Sequence, residues 1–334
     1  MRPITQLLLG ICIVSGSYRS ALGFNELGHC VIAKIAYDNL SDAQRDAIHN
    51  ILKVHPHYAE YLAANAPPDV PLREWSFLRA STWPDWVRSH HTADYHKSEW
   101  HYINYPYRLR QADTSTLPAP LPQAKNILER LPLAVAVVKG GPANDLDLLE
   151  NLSAEERRAV AVCWLFHLIG DLHQPLHVVA LIDEARFPEA SHGDRGGNEL
   201  ALIVTGARPL RLHSFWDGAL GFDASYGNVS TIVKNLRDDP PISAEEMSRL
   251  VAKVDFNSWA LESYQLAAKY AYLNGDLPIA PWKPAYNDAA AVADSEVPQL
   301  KPTVIEEARA ISRQRLYLAG RRLAEQLKAI FPKP

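Results

Sequence analysis

Apolar residues recur at helical spacing along most of the chain, and strand-like alternation is rare. The stretch from Leu27 to Leu40 shows the helical pattern first. Capping boxes mark further helix starts: Ser41 with Gln44, Ser153 with Glu156, and Ser243 with Glu246. The helix opened at Ser153 runs through Val160, Cys163, Trp164, Phe166, His167 and Leu168. Its end is predicted near His173, because Pro175 cannot continue it without losing a hydrogen bond. Two more helices are predicted over Asn257 to Tyr272 and Thr303 to Ile330. Residues 66–73, 106–123 and 275–301 are rich in proline or small residues and read as loops. Asn198 to Leu212 holds a β-rich run (Leu200 to Thr205), a glycine-containing turn and a second short run. That predicts a hairpin, the single β element expected. No segment reads as a linker, so the expected architecture is a mainly α, single-domain helical fold with one small β-hairpin.

The first residues break the pattern. Met1-Arg2 is a short basic start, Leu7 to Val14 is apolar but too short to span a bilayer, and Ala21-Leu22-Gly23 places small residues where a signal peptidase reads. The prediction is a secretory signal peptide over residues 1–23, a domain over 24–334, and a secreted or periplasmic location. No other stretch is long and apolar enough to cross a membrane. At 47% hydrophobic and 22% charged residues, the chain can bury an ordinary globular core. Losing residues 1–23 removes Arg2 and Arg19 and no acid, taking the formal charge from −4 to −6. A basic stripe for duplex binding is therefore absent, and a polyanionic substrate would need local cations such as bound metal. Cys30 and Cys163 remain, both in apolar helical patterns, and read as free buried thiols with one bridge possible in an oxidising compartment.

Several of the 13 histidines fall where a metal would want them. In His167-Leu-Ile-Gly-Asp171-Leu-His173-Gln-Pro-Leu-His177, His167 and Asp171 lie four apart on one helix face, and the turn at Pro175 can return His177 toward that face. His213 and Asp217 repeat the spacing in a short segment with Phe215 and Trp216. Asp85, His101 and His29 add one carboxylate and two imidazoles. Imidazole and carboxylate at this spacing suit zinc. A lone His–Asp pair is usually a helix-surface pair. Five histidines and three aspartates in apolar, aromatic settings are different, since buried charge is costly unless paired or metal-bound. His173, six residues past His167, points elsewhere and reads as structural or supporting. His49, His55, His57, His90, His91, His96 and His192 sit in polar or loop contexts and need no special role.

These motifs together resemble the zinc-dependent single-strand nuclease and 3′-nucleotidase family of the mung-bean-nuclease type, akin to zinc-dependent phospholipases C. The matching stretches are Phe24 to His29, Trp83 to Arg88, Trp100 to Asn104, His167 to His177, Gly193 to Asn198, His213 to Asp217 and Leu318 to Ala324. The resemblance implies three zinc ions per chain. Asp85, His101, His167 and Asp171 would hold the first; Asp171 would bridge it to a second, held by His29 and by the amine and carbonyl of Phe24. His177, His213 and Asp217 would hold the third. Phe24 stands where the family usually has tryptophan, but the ligands there are backbone atoms. The family's reaction is cleavage of the P–O3′ bond, leaving 5′-phosphates. Asp85 and Asp171 would serve that catalysis as ligands. Arg88 would steady the phosphoryl oxygens, with a surface ion pair as its alternative. Tyr102 would stack a base, with core packing as its alternative. Asn104 and Asn198 would sit near the substrate. Expected partners are single-stranded nucleic acid and 3′-nucleotides, with no stable protein partner and a monomeric state. Two rivals stay open: a phospholipase C of the same architecture, against which Asp217 stands where those enzymes carry glutamate, and a non-enzymatic zinc-binding protein, against which no ligand is missing.

Overall fold

The structure is a computed structural model and describes residues 24–90, 95–111, 113–142, 146–148 and 151–332. The predicted signal peptide, residues 1–23, lies outside the described residues. The fold is mainly α. Among the described residues the α-helices are α1 (Glu26–Asp38), α2 (Asp42–Leu52), α3 (Leu72–His90), α4 (Ile127–Val138), α5 (Ala154–His173), α6 (Leu212–Asp217), α7 (Tyr226–Asp238), α8 (Ala244–Val251), α9 (Phe256–Leu266) and α10 (Pro302–Ile330).

Helix α5 is the axis. Every residue from Ala159 to His173 is buried, so this helix is covered on all sides. Helices α1, α3, α4 and α10 pack around it. The capping boxes at Ser41 and Ser153 are both closed in each direction, and Ser243 accepts from the Glu246 N–H. Helix α5 stops at His173, with Gln174 as its cap and Pro175 opening a 3-10 turn (Pro175–Val178). Close approach sets the α1–α10 contact: a Cβ on Gly320 would lie 2.6 Å from the Ile35 Cβ, so only glycine fits.

The hairpin is present but short, β3 (Ala201–Leu202) against β4 (Leu210–Arg211), antiparallel. It is not the only β element. Strands β1 (Tyr105–Arg108) and β2 (Val179–Ile182) pair in parallel, with Tyr105 opposite Val179. The expected loop over 106–123 therefore begins as a strand. Pro106 argued against that reading, but a two-stranded ribbon has only edge strands, where proline is tolerated. This ribbon matters to the site. It continues backwards as the Ile103 N–H donating to the His177 carbonyl at 2.9 Å, which sets the segment 101–104 beside 175–178.

The predicted helix over Asn257 to Tyr272 is α9 followed by a π turn over Ala267–Ala271. His55 and His57, expected in a polar loop, are buried. They pack on Trp83, whose indole N–H donates to His57 Nδ1 at 3.1 Å. Aromatic cover from α3, invisible in the local sequence, is the reason. Cys30 and Cys163 are free and buried, and burial pushes the Cys30 thiol up to about 12.

Candidate metal centre

Six elements bring the predicted ligand residues together. Helix α1 supplies His29, α3 supplies Asp85, and the 3-10 turn Ser98–His101 supplies His101. Helix α5 supplies His167 and Asp171, and its 3-10 extension supplies His177. Helix α6 supplies His213 and Asp217. Their ligand-type atoms fall into three sets, each within 4.8 Å: His29, His167 and Asp171; Asp85, His101 and His167; His177, His213 and Asp217.

Asp171 lies at the junction. Its Oδ1 is 3.2 Å from His29 Nε2, while its Oδ2 is 2.9 Å from His101 Nδ1 and 3.2 Å from His167 Nε2. His167 Nε2 is 3.8 Å from Asp85 Oδ1, and the His29 and His167 rings stack at 3.9 Å. In the third set His213 Nε2 is 3.5 Å from Asp217 Oδ2.

Backbone carbonyls orient the imidazoles. His167 Nδ1 bonds the Ser81 carbonyl at 2.8 Å, His177 Nδ1 the His101 carbonyl at 2.7 Å, and His213 Nδ1 the Gly196 carbonyl at 2.7 Å. Each bond leaves Nε2 facing inward. Gln174, which the sequence did not single out, fixes Asp217: its amide donates to Oδ1 at 2.8 Å while its own oxygen accepts from the Leu176 N–H at 2.5 Å. Asp194 was also missed. It accepts from the Leu181 and Gly197 N–H groups and from the Tyr272 hydroxyl, and so holds the loop that carries Gly196. The signal for both was a polar residue inside an otherwise apolar or glycine-rich run.

The donors are orphaned as a metal site would leave them. His29 Nδ1 and Nε2, Asp171 Oδ1, His177 Nε2, His213 Nε2 and Asp217 Oδ2 are all buried without a hydrogen-bond partner. Burial pushes Asp171 and Asp217 well above the usual carboxylate range and holds His29, His101 and His177 well below the usual imidazole range. Desolvation likewise pushes Asp85 up to about 7, with Asp171 adding to it and His167 and Arg88 pulling the other way. These directions describe neutral groups crowded together, and a bound cation reverses the carboxylate shift. The donor set therefore fits divalent metal, and its nitrogen and carboxylate mixture fits zinc.

The chain belongs to the S1/P1 nuclease family. The model of that family matches residues 24–332. Endonuclease 1 of Arabidopsis thaliana is 24% identical over 284 residues, covering 80% of this chain and 79% of that protein. Endonuclease 4 of the same plant is 34% identical over 124 residues, which is 34% of this chain and 38% of that protein. Membership makes this S1/P1-family protein a hydrolase of the nuclease class, with nucleic acid as the substrate class.

Of the remaining predicted residues, Tyr102, Asn104 and Asn198 line a cavity of about 610 Å³ at the third ligand set, together with His177, Arg195, His213 and others. Tyr102 is half-buried in this S1/P1-family site, and Asn104 is buried. Asn198 sits at the rim, where its side chain donates to the Arg195 carbonyl. Arg88, half-buried, lies one helical turn beyond Asp85. Phe24 is buried, and the next N–H, that of Asn25, donates to the Asp217 carbonyl at 3.3 Å. His173 is structural: its Nδ1 bonds the Ile169 carbonyl and its Nε2 meets Arg322 at 2.9 Å. No described helix is long and apolar enough to cross a membrane.

Proposed function

We propose that this protein is a secreted, zinc-dependent phosphodiesterase of one catalytic domain from residue 24, exported and processed after residue 23, and active as a monomer. It cuts the P–O3′ bond of single-stranded DNA and RNA, leaves 5′-phosphate ends, and removes the phosphate of 3′-nucleotides. One observation carries the reading: the third ligand set opens into the same cavity that Tyr102 and Asn104 line.

In this proposal Asp85, His101, His167 and Asp171 hold one zinc, Asp171, His29 and the Phe24 amine and carbonyl a second, and His177, His213 and Asp217 a third. Zinc at these positions supplies Lewis acidity toward phosphoryl oxygens and water acidified to a pKa of about 7. Asp171 presents its two oxygens to two adjoining sets, so it fixes the spacing between them. Arg88 offers a planar fork of donors to the phosphoryl oxygens. Tyr102 presents a ring on which any unpaired base can stack. Asn104 offers both a donor and an acceptor to a base edge, and Asn198 contributes at the rim. A duplex hides its base faces, and extruding a base costs a few kcal/mol, so unpaired strands are preferred.

The test is metal analysis combined with product-end analysis on single-stranded DNA, matched duplex and phosphatidylcholine in parallel. The expected result is three zincs, 5′-phosphate ends and faster cleavage of the single strand. One zinc or fewer on active protein, equal initial rates on duplex, or preferred release of phosphocholine would overturn the reading.

A further inference from the structure

Asp194 is fully buried and joins segments that are far apart in the chain. Its Oδ1 accepts the Leu181 N–H of β2 at 2.8 Å, and its Oδ2 accepts the Gly197 N–H at 3.0 Å and the Tyr272 hydroxyl at 2.8 Å. Tyr272 is itself buried, at the end of the π turn that follows α9, and its ring stacks on Tyr107 of β1 at 5.4 Å. Among the described residues no cation pairs with Asp194. Desolvation pushes its carboxyl up to about 7, and these neutral donors pull the other way. Displacing any one donor leaves part of a buried carboxylate unmet, which is costly.

The loop that starts at Asp194 guides one ligand. The Gly196 carbonyl bonds His213 Nδ1 at 2.7 Å, and the Gly197 carbonyl accepts the His213 backbone N–H at 3.2 Å. This loop lies directly on the segment that carries His177, because a Cβ on Gly196 would collide with the Leu176 carbonyl. The bond from Asp194 to Leu181, four residues after His177, therefore fixes the guide of His213 relative to the His177 backbone. Other ligands take their orientation elsewhere: His167 from the Ser81 carbonyl, His177 from the His101 carbonyl and Asp217 from the Gln174 amide. None of these three bonds passes through Asp194.

We propose that Asp194, latched by Tyr272, is a positioning residue for the third ligand set: it holds the Gly196 carbonyl that aims His213, and so sets the affinity for the third metal separately from the first two. Asp194 acts through the loop and is not itself a ligand. Releasing the latch lets the glycine loop shift, and an imidazole that loses its orienting bond binds metal more weakly. The first two sets do not depend on this loop, so they keep their metals. This inference rests on the three-zinc reading of the site.

The test is a stepwise zinc titration of exported protein after chelation, read against a competing fluorescent chelator, in wild type, Tyr272→Phe, Asp194→Asn and Tyr264→Phe. Tyr264 is the control: it is also buried, and its hydroxyl donates to the Pro106 carbonyl of β1 at 3.0 Å and not to the loop. Its variant should lose stability yet bind three zincs with wild-type affinity. Tyr272→Phe and Asp194→Asn are expected to weaken the third step about 10- to 100-fold and to leave the first two unchanged. Cleavage of single-stranded DNA is scored separately on the same samples. A wild type that binds three zincs without cleaving, with the third step weakened in both variants, keeps the positioning role and removes the nuclease reading. An unchanged third step in Tyr272→Phe, equal weakening of all three steps, or the same weakening in Tyr264→Phe overturns the role and leaves the reading standing. A wild type with no third step overturns both. Tyr272→Phe removes only a hydroxyl, so it keeps the test decisive if Asp194→Asn does not fold.

Discussion

Gly170 sits in the last turn of α5, one residue before Asp171, and a Cβ there would lie 2.8 Å from both Cε1 and Nδ1 of His29 and 3.2 Å from Ile32 Cδ1. In an exposed helix, replacing glycine with alanine stabilises by about 0.5–1 kcal/mol. Here the neighbour decides the sign. The His29 ring is fully buried and stacked on His167, so it cannot swing away like the end of a flexible side chain. Overpacking of this kind costs about 1–3 kcal/mol, which outweighs the helical gain. Relieving the contact requires a shift of roughly 0.5 Å, about the tolerance of a functional constellation. Gly170→Ala is therefore expected to lower the melting temperature of the metal-free protein and to weaken metal binding about 10- to 100-fold, as changes that reorient a ligand do. Gly227→Ala is the control: Gly227 lies in α7 with nothing within 4 Å of its built Cβ, and alanine there should stabilise. The assay is thermal unfolding after chelation, followed by metal content after dialysis against a metal buffer. A Gly170→Ala protein with raised melting temperature and full metal content would refute the wedge.

Asp171→Ala removes the carboxylate that faces both His29 and His101 and should cut activity by at least about 10²-fold, measured as initial rate on single-stranded DNA; half the activity retained would contradict a ligand role. A protein made with Met preceding Phe24 has no free amine at that position, and should fold but hold less zinc and show much lower activity than exported protein. N-terminal mass spectrometry paired with specific activity decides it. For Glu262, burial alone would raise the carboxyl, but the Arg322 and Arg315 guanidinium groups outweigh it and hold the pKa down to about 2. Its contribution, of order 2–3 kcal/mol, is present above about pH 4.5 and lost as pH falls toward 2. Denaturant unfolding at pH 5 and pH 3 should show wild type losing more stability than Glu262→Gln, and equal losses would count against the network.

The local signals were legible because they act over a few residues. Ser41 and Ser153 announce their helices through partners three residues away, and Pro175 announces the end of α5. Two imidazole–carboxylate pairs at four-residue spacing pointed to a metal for the same reason. Contacts between distant segments left little local trace. The β1–β2 ribbon joins residues 74 apart in the chain, Tyr105 with Val179, and Pro106 masks one of its strands. The Glu262, Arg315 and Arg322 network joins α9 to α10, and the two arginines are seven apart on one helix face. A pair of buried arginines at that spacing in an apolar helix was a readable hint, but the sequence did not say which acid would meet them.

Three imidazoles in the site are aimed by carbonyl groups of Ser81, His101 and Gly196, not by the side chains of those residues. Every amino acid carries a carbonyl, so such a contact survives sequence drift that would erase an orienting aspartate or asparagine. Inheritance then acts on the path of the chain. Ser81 can change without losing the bond to His167, provided α3 keeps its course. Gly196 cannot change as freely, because its φ of +65° and the Leu176 carbonyl 2.3 Å from a built Cβ both demand glycine. Among diverging relatives, the residues that aim the ligands should therefore look variable or look like mere turn glycines.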